Sequence, residues 1–507
     1  MAKSSDLFDL IKSLSGNEKR YFMMYSSMQS GNKKYERLYK LIDKQKSYEE
    51  EELLKAFAGD PMVNQFSVAK NYLYNLILKS LESYYDSIET GMRSLMTRIE
   101  ILFNKGLYKQ CRSHLERARK KAQRYELYQY VAEINTWEVS TSSRYLNVHK
   151  FRKQQIEILD EVGEGIRHLS EANRYRFARQ MMYDIYLKGG FEGVDESEPI
   201  IRDSVKLLTT KPGDNLCFYA RYQLHAGLSY YYLSRKEVDK AFQASQDVID
   251  LMHAHPDQIE LGARNYIISC TNHMLMMFHQ KRFKEILKLS EKVNNLHTWV
   301  KQVRHSVSLQ VLIFESGLSY QMTVYTTVGD VKSGLAILPE VERGLNLYKR
   351  RMNTQSLTVW WFNISILHFL AEDYKTSLVW LNKIFNETIT HIRSDFVVAC
   401  HLLRLVLHYE LDNESLFPYL LRSAYRQFVK LPLDNNVTVM LVNSLKLMFE
   451  TTKPTEVKDT LKSIRDKIDA LSDHHDMNVI LIYFDLRQWI EGKIRRVPMV
   501  KIMQESL

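Results

Sequence analysis

A chain of 507 residues is longer than one compact domain ordinarily takes, so it either holds several domains or grows by repetition. An apolar fraction of 45% with 11% aromatic residues excludes a disordered chain, and 18 Gly and 9 Pro are too few breakers for a strand-rich protein of this size. The net charge of +10 is regional: residues 1–90 carry 13 basic and 13 acidic groups, residues 91–187 carry 18 against 11, and the rest holds only +3, which directs any anionic partner to the second stretch.

The first ninety residues read as a small helical bundle. Asp6 to Leu14 is a short amphipathic helix, and Ser15-Gly16-Asn17-Glu18 fits a capping box that opens a second helix. Gly31-Asn32 breaks that helix and Tyr35 to Lys44 forms a third. Ser47-Tyr48-Glu49-Glu50 fits another capping box, opening an acidic helix to Phe57 that Gly59-Asp60-Pro61 ends. Phe66 to Ser87 closes the bundle. A helix-turn-helix reading of this region draws on Lys70, Asn71, Asn75 and Lys79, but the neutral charge suits a cap better than a phosphate-binding module.

From residue 91 a hairpin pattern recurs. Leu95, Ile99 and Leu102 make an outgoing stripe, Gly106-Leu107-Tyr108 a turn, and Cys111, Leu115, Ala118 and Ala122 the return. The register is poor between Tyr125 and Leu216, and Gly189 to Pro199 reads as an irregular loop. Turn-equivalent positions then fall at Val238, Phe283, Val331 and Tyr374, and further on at Ser415 and Val457. The clearest unit is Trp361 to Phe385, with Glu372-Asp373 as its polar turn. A helix from Met477 to Trp489 caps the array and leaves Arg495-Arg496-Val497-Pro498 on a short tail. Such hairpins cannot bury both apolar faces alone, so stacked neighbours are expected. The division is 1–90 for the bundle, 91–475 for the array and 476–507 for the cap and tail.

Trp361, Ser365, Tyr374 and Ser377 resemble the pattern of the tetratricopeptide repeat family. Leu228, Tyr232 and Ala241 match a second unit, and Gly106, Tyr108 and Ala118 a third. The period of 41 to 48 residues exceeds the roughly 34 of that family. Ser15 to Phe22 and His408 to Leu411 are similar to segments of uncharacterised bacterial helical-repeat proteins, a likeness that implies no activity. The resemblance implies an all-α fold, a right-handed superhelix or α-solenoid of long hairpins. It also implies a non-enzymatic scaffold whose concave face, built from first helices, binds a protein or peptide. By position before each turn, the groove candidates are Tyr230, Thr271, Leu275, Phe278, Ser319, Thr323, Phe362, Ile366 and Phe369.

The alternative reading is a nucleic-acid-associated regulator acting through the N-terminal bundle or through residues 93–124, which hold ten Lys/Arg and two Glu. Lys105, Lys109, Arg112 and Arg119 recur at heptad-like spacing away from the apolar stripe, as an anionic partner would need. Chemistry is not expected. His253-Ala254-His255-Pro256-Asp257 and His474-His475-Asp476 lack a third metal ligand at a recognised spacing. Gly163-Glu164-Gly165 and Gly189-Gly190 are not phosphate loops, and no Gly-x-Ser-x-Gly elbow occurs. No cofactor is expected. Cys111, Cys217, Cys270 and Cys400 stand apart, with no C-x-x-C pair, as buried thiols in a reducing compartment. The N-terminal MAKSSDLFDLIKSL lacks a signal's apolar core and no 18-residue apolar run occurs, so a cytoplasmic chain without a membrane partner is expected.

Overall fold

A computed structural model describes residues 5–28, 33–85, 87–142, 148–213, 215–386, 394–431, 434–451, 453–471 and 474–506. The break expected at Gly31-Asn32 lies outside these residues, as do Ser472, Asp473 and the side chains of His475 and Asp476. Among the described residues every regular element is a helix. The chain divides into two compact units, residues 1–174 with 212–220, and residues 175–211 with 221–507. The border expected near residue 90 falls inside the first unit.

The first unit begins with helices Asp6–Ser13, Gly16–Ser27, Lys33–Lys44, Glu50–Ala56 and Phe66–Tyr84. They enclose Leu7, Ile11, Phe22, Leu38, Ile42, Leu73 and Ile77 as one core. The Ser15 capping box forms: Ser15 Oγ accepts from the Glu18 amide at 3.3 Å and the Glu18 carboxylate accepts from the Ser15 amide. The Ser47 box does not. The fourth helix begins at Glu50, so its cap position is Glu49, which makes no side-chain cap bond. Ser47 instead donates to the Glu49 carboxylate at 3.2 Å. Ser87 and Thr90 make a reciprocal cap that opens Ile88–Asn104. Tyr108–Arg124 and Tyr128–Ser142 follow.

Where the register was unreadable, one helix of 40 residues runs Val148–Leu187. The expected loop at Gly189 to Pro199 is present, in turns, and Pro199–Thr209 follows. In the second unit, which takes the helix Phe218–Ser234 from Arg221 onward, first and second helices alternate: Phe218–Ser234 with Val238–Ala254, Ala263–His279 with Phe283–Asn294, Ser319–Val328 with Val331–Tyr348, and Thr354–Leu370 with Tyr374–Asn386. Ser394–Glu410 with Phe417–Phe428 and Asn435–Glu450 with Pro454–Asp469 complete the series.

Among the described residues eight helix ends close alike. Gly106, Glu126, Lys236, Lys281, Gly329, Glu372, Asp412 and Arg496 stand in the left-handed region with φ between 51° and 70°. The amide of each following residue donates to a carbonyl five positions back at 2.8–3.0 Å, the six-to-one bond of a Schellman end. From Lys236 to Asp412 these closures recur 45, 48, 43 and 40 residues apart. Across the turn, small residues let the two helices touch. Cys111 Sγ reaches the Ile99 carbonyl at 3.6 Å, and Ser229 Oγ donates to Ala241 O at 3.4 Å. Ser365 and Ser377 donate to each other's carbonyls at 3.0 and 2.7 Å.

The C-terminal segment departs from expectation. Phe484-Asp485 break the helix foreseen from Met477 to Trp489, because the Asp485 carboxylate accepts from the Arg487 amide at 3.0 Å and starts a new helix, Leu486–Arg495. The expected tail at 495–498 leads into another helix, Met499–Glu505, where Gln504 donates to Gly329 O at 3.3 Å.

Candidate recognition face

The nine groove candidates occupy equivalent positions, three, six or ten residues before the left-handed residue that ends each first helix. Six of them remain half-buried: Tyr230, Thr271, Leu275, Phe278, Ser319 and Thr323. Their neighbours repeat a polar contact. Asn272 donates to the Tyr230 hydroxyl at 2.8 Å, and Asn363 donates to Thr323 Oγ1 at 3.2 Å. Each pair joins a residue six before one closure to an Asn nine before a later one, Lys281 or Glu372. Sequence reasoning missed both Asn residues, although that shared nine-residue offset was the signal that could have found them. Burial pushes the Tyr230 hydroxyl up to about 12, so it stays a neutral donor and acceptor. Thr271 bonds its own helix, donating to Ile267 O at 2.8 Å, and Phe278 meets Phe283 edge-on at 5.7 Å.

Phe362, Ile366 and Phe369 are not open to a partner. They are 2%, 9% and 3% exposed and belong to the unit's core. Residues more than a hundred positions away cover them: Tyr483 meets the Phe362 ring at 6.3 Å and Phe484 meets Phe369 at 5.4 Å, both edge to face. Behind these rings Glu410, whose side chain is 7% exposed, accepts from Trp489 Nε1 at 2.6 Å and from Lys493. The chain therefore sets its own Tyr483 and Phe484, where the helix His475–Tyr483 ends, against positions where a ligand was expected.

In the first unit Lys105 and Lys109 are exposed at the turn of the basic hairpin, and Arg112 is exposed beside Glu116 at 3.4 Å. Arg119 leaves the set. It points inward to Glu138, Glu161 and Asn135, so its charge is spent inside the fold and not offered to a partner. Arg117 and Lys120, beyond the four heptad-spaced positions, are exposed.

The thiols are sealed away. All four cysteines are buried, and burial pushes each thiol up, that of Cys270 to about 12. His253 pairs with the Tyr266 hydroxyl at 3.0 Å, and His474 with Asp434 at 3.0 Å. Among the described residues no cluster of three or more His, Cys, Asp or Glu is arranged to hold a metal, and no helix is long and apolar enough to cross a membrane. Comparison with protein-family models, with curated proteins and with solved structures finds no match.

Proposed function

We propose that the chain is a non-enzymatic scaffold, a right-handed superhelical stack of long hairpins of tetratricopeptide type that holds a helical or extended segment of a partner protein. The contact surface is the first-helix face around Tyr230, Thr271, Asn272, Leu275, Ser319 and Thr323. One observation carries this reading. At the equivalent positions Phe362 and Phe369, the same kind of face already receives Tyr483 and Phe484 of the chain itself, where the helix His475–Tyr483 ends. A face of aromatic and hydroxyl groups with polar pairs at its seams suits a helix laid into a groove.

A photo-reactive residue at Leu275 tests it, against a control at Lys284 on the exposed side of a second helix. A defined partner captured from Leu275 and not from Lys284 supports the scaffold. Equal capture at both positions, or none, removes it. The second reading, nucleic-acid binding by the basic hairpin, draws on the exposed Lys105, Lys109, Arg117 and Lys120. Four phosphate contacts require affinity to fall with salt at a log–log slope of about −3.6. A flat salt dependence, or no binding at low salt, dismisses it.

A further inference from the structure

The second unit contains a pocket of about 390 Å³ whose walls come from residues 294–318 and 340–348. This volume lies at the small end of the range of small-molecule sites. Its construction is local and unusual. The helix Val307–Ile313 passes into a π-helical turn, Phe314–Leu318, before continuing as Ser319–Val328. Such turns widen a helix and cluster at functional sites. Two glycines make room for the wall. A Cβ on Gly344 would sit 2.1 Å from the Phe314 ring, and one on Gly317 would sit 1.8 Å from Asn294 Oδ1. Phe314 is pinned from its other side by Trp360, stacked at 4.8 Å. The ring is thereby held as a fixed apolar surface, with Leu318 beside it and Leu347, 65% exposed, at the mouth.

The rim is cationic. Arg304 donates to two neutral carbonyls, His297 O at 2.7 Å and Thr298 O at 2.6 Å, which position the guanidinium without compensating its charge. Arg343 has Glu340 at 3.8 Å and a side chain 78% exposed. The rim therefore carries two guanidinium groups against one carboxylate, beside an apolar wall. That combination rejects a cation and leaves a neutral apolar ligand without use for the rim. We propose that this pocket binds a small amphiphilic monoanion, a short acyl chain against Phe314, Leu318 and Leu347 with its carboxylate at Arg343 and Arg304. This site is separate from the proposed recognition face and does not depend on it.

Calorimetric titration of the full chain with hexanoate, octanoate and octanol tests the assignment. One molecule is expected to bind per chain. Each added methylene should tighten binding about fourfold while the pocket has room, so octanoate should bind about 15-fold more tightly than hexanoate. Octanol should bind more weakly than octanoate. Arg343→Glu should weaken octanoate roughly fivefold or more and Leu347→Asp roughly tenfold. Both residues are exposed, so an unchanged melting temperature certifies the fold of each variant. No octanoate binding at millimolar concentration overturns the proposal. So does a stoichiometry well above one, equal affinity for octanol, or variants that bind as the parent does.

Discussion

Six of the left-handed closures carry a side chain: Glu126, Lys236, Lys281, Glu372, Asp412 and Arg496. A left-handed residue other than Gly costs about 1–2 kcal/mol, partly offset in a Gly variant by the larger chain entropy it loses on folding. Lys236→Gly and Lys281→Gly should therefore each stabilise the chain by about 0.5–1 kcal/mol in urea unfolding. Destabilisation by either would mean that its side chain, not its backbone, holds the turn. The Ser365–Ser377 contact fixes how closely two helices approach. Ser377→Ala should cost about 1 kcal/mol through lost hydrogen bonds, whereas Ser377→Val should cost more, about 2–3 kcal/mol, because its methyl groups have no space. Residue chemistry of this local kind was legible where spacing alone sets it. The Ser15–Glu18 box and the Glu372-Asp373 turn both stand where the sequence placed them. The Ser47 box failed because a matching pattern does not decide which residue begins the helix.

Elements that pair with near neighbours in sequence were easier to read than those that pair with remote ones. The hairpin from Trp361 to Phe385 announces itself because its two stripes face each other across a turn of three residues. The 40-residue helix Val148–Leu187 was unreadable because Gly163 and Gly165 suggest breaks that do not occur. The burial of Phe362, Ile366 and Phe369 was hidden for another reason. A stripe at helical spacing states that a face is apolar, but Tyr483 and Phe484, which cover it, come more than a hundred residues later. The same holds for Arg119, whose spacing matched the basic stripe while Glu138 and Glu161 drew it inside. The covering segment depends on the Glu410 clamp. Lys493→Met leaves a nearly buried carboxylate with one partner and should cost about 2 kcal/mol, while adding Glu410→Gln should recover part of that loss. Equal stability of the parent, both single variants and the double in a double-mutant cycle would show that the clamp contributes nothing to holding the segment.

Over the second unit as a whole, the histidines give stability one direction with pH. His225, His253, His273, His401 and His408 are all held below the ordinary imidazole range, burial being the largest cause for each. His273, bonded to Ser245 Oγ at 2.7 Å, and His401, between the rings of Phe385 and Phe428, fall to about 4. A depressed imidazole binds its proton more readily in the unfolded chain, near pH 6.5, than in the folded one. Its contribution is therefore complete above pH 6.5 and is lost as pH falls towards 4, with a magnitude on the order of 3 kcal/mol for each of these two groups. The urea midpoint should drop steeply between pH 7 and pH 5. His401→Phe keeps an aromatic ring between Phe385 and Phe428 but cannot take a proton, so it should flatten part of that slope. A pH profile identical to the parent's would mean that His401 is already solvated where the structure encloses it. The same reasoning sets what the unit can do. Its thiols, Cys270 and Cys400, and the imidazoles of His273, His401 and His408 are spent on packing, while the half-open faces and the pocket walled by Phe314 stay open to other molecules.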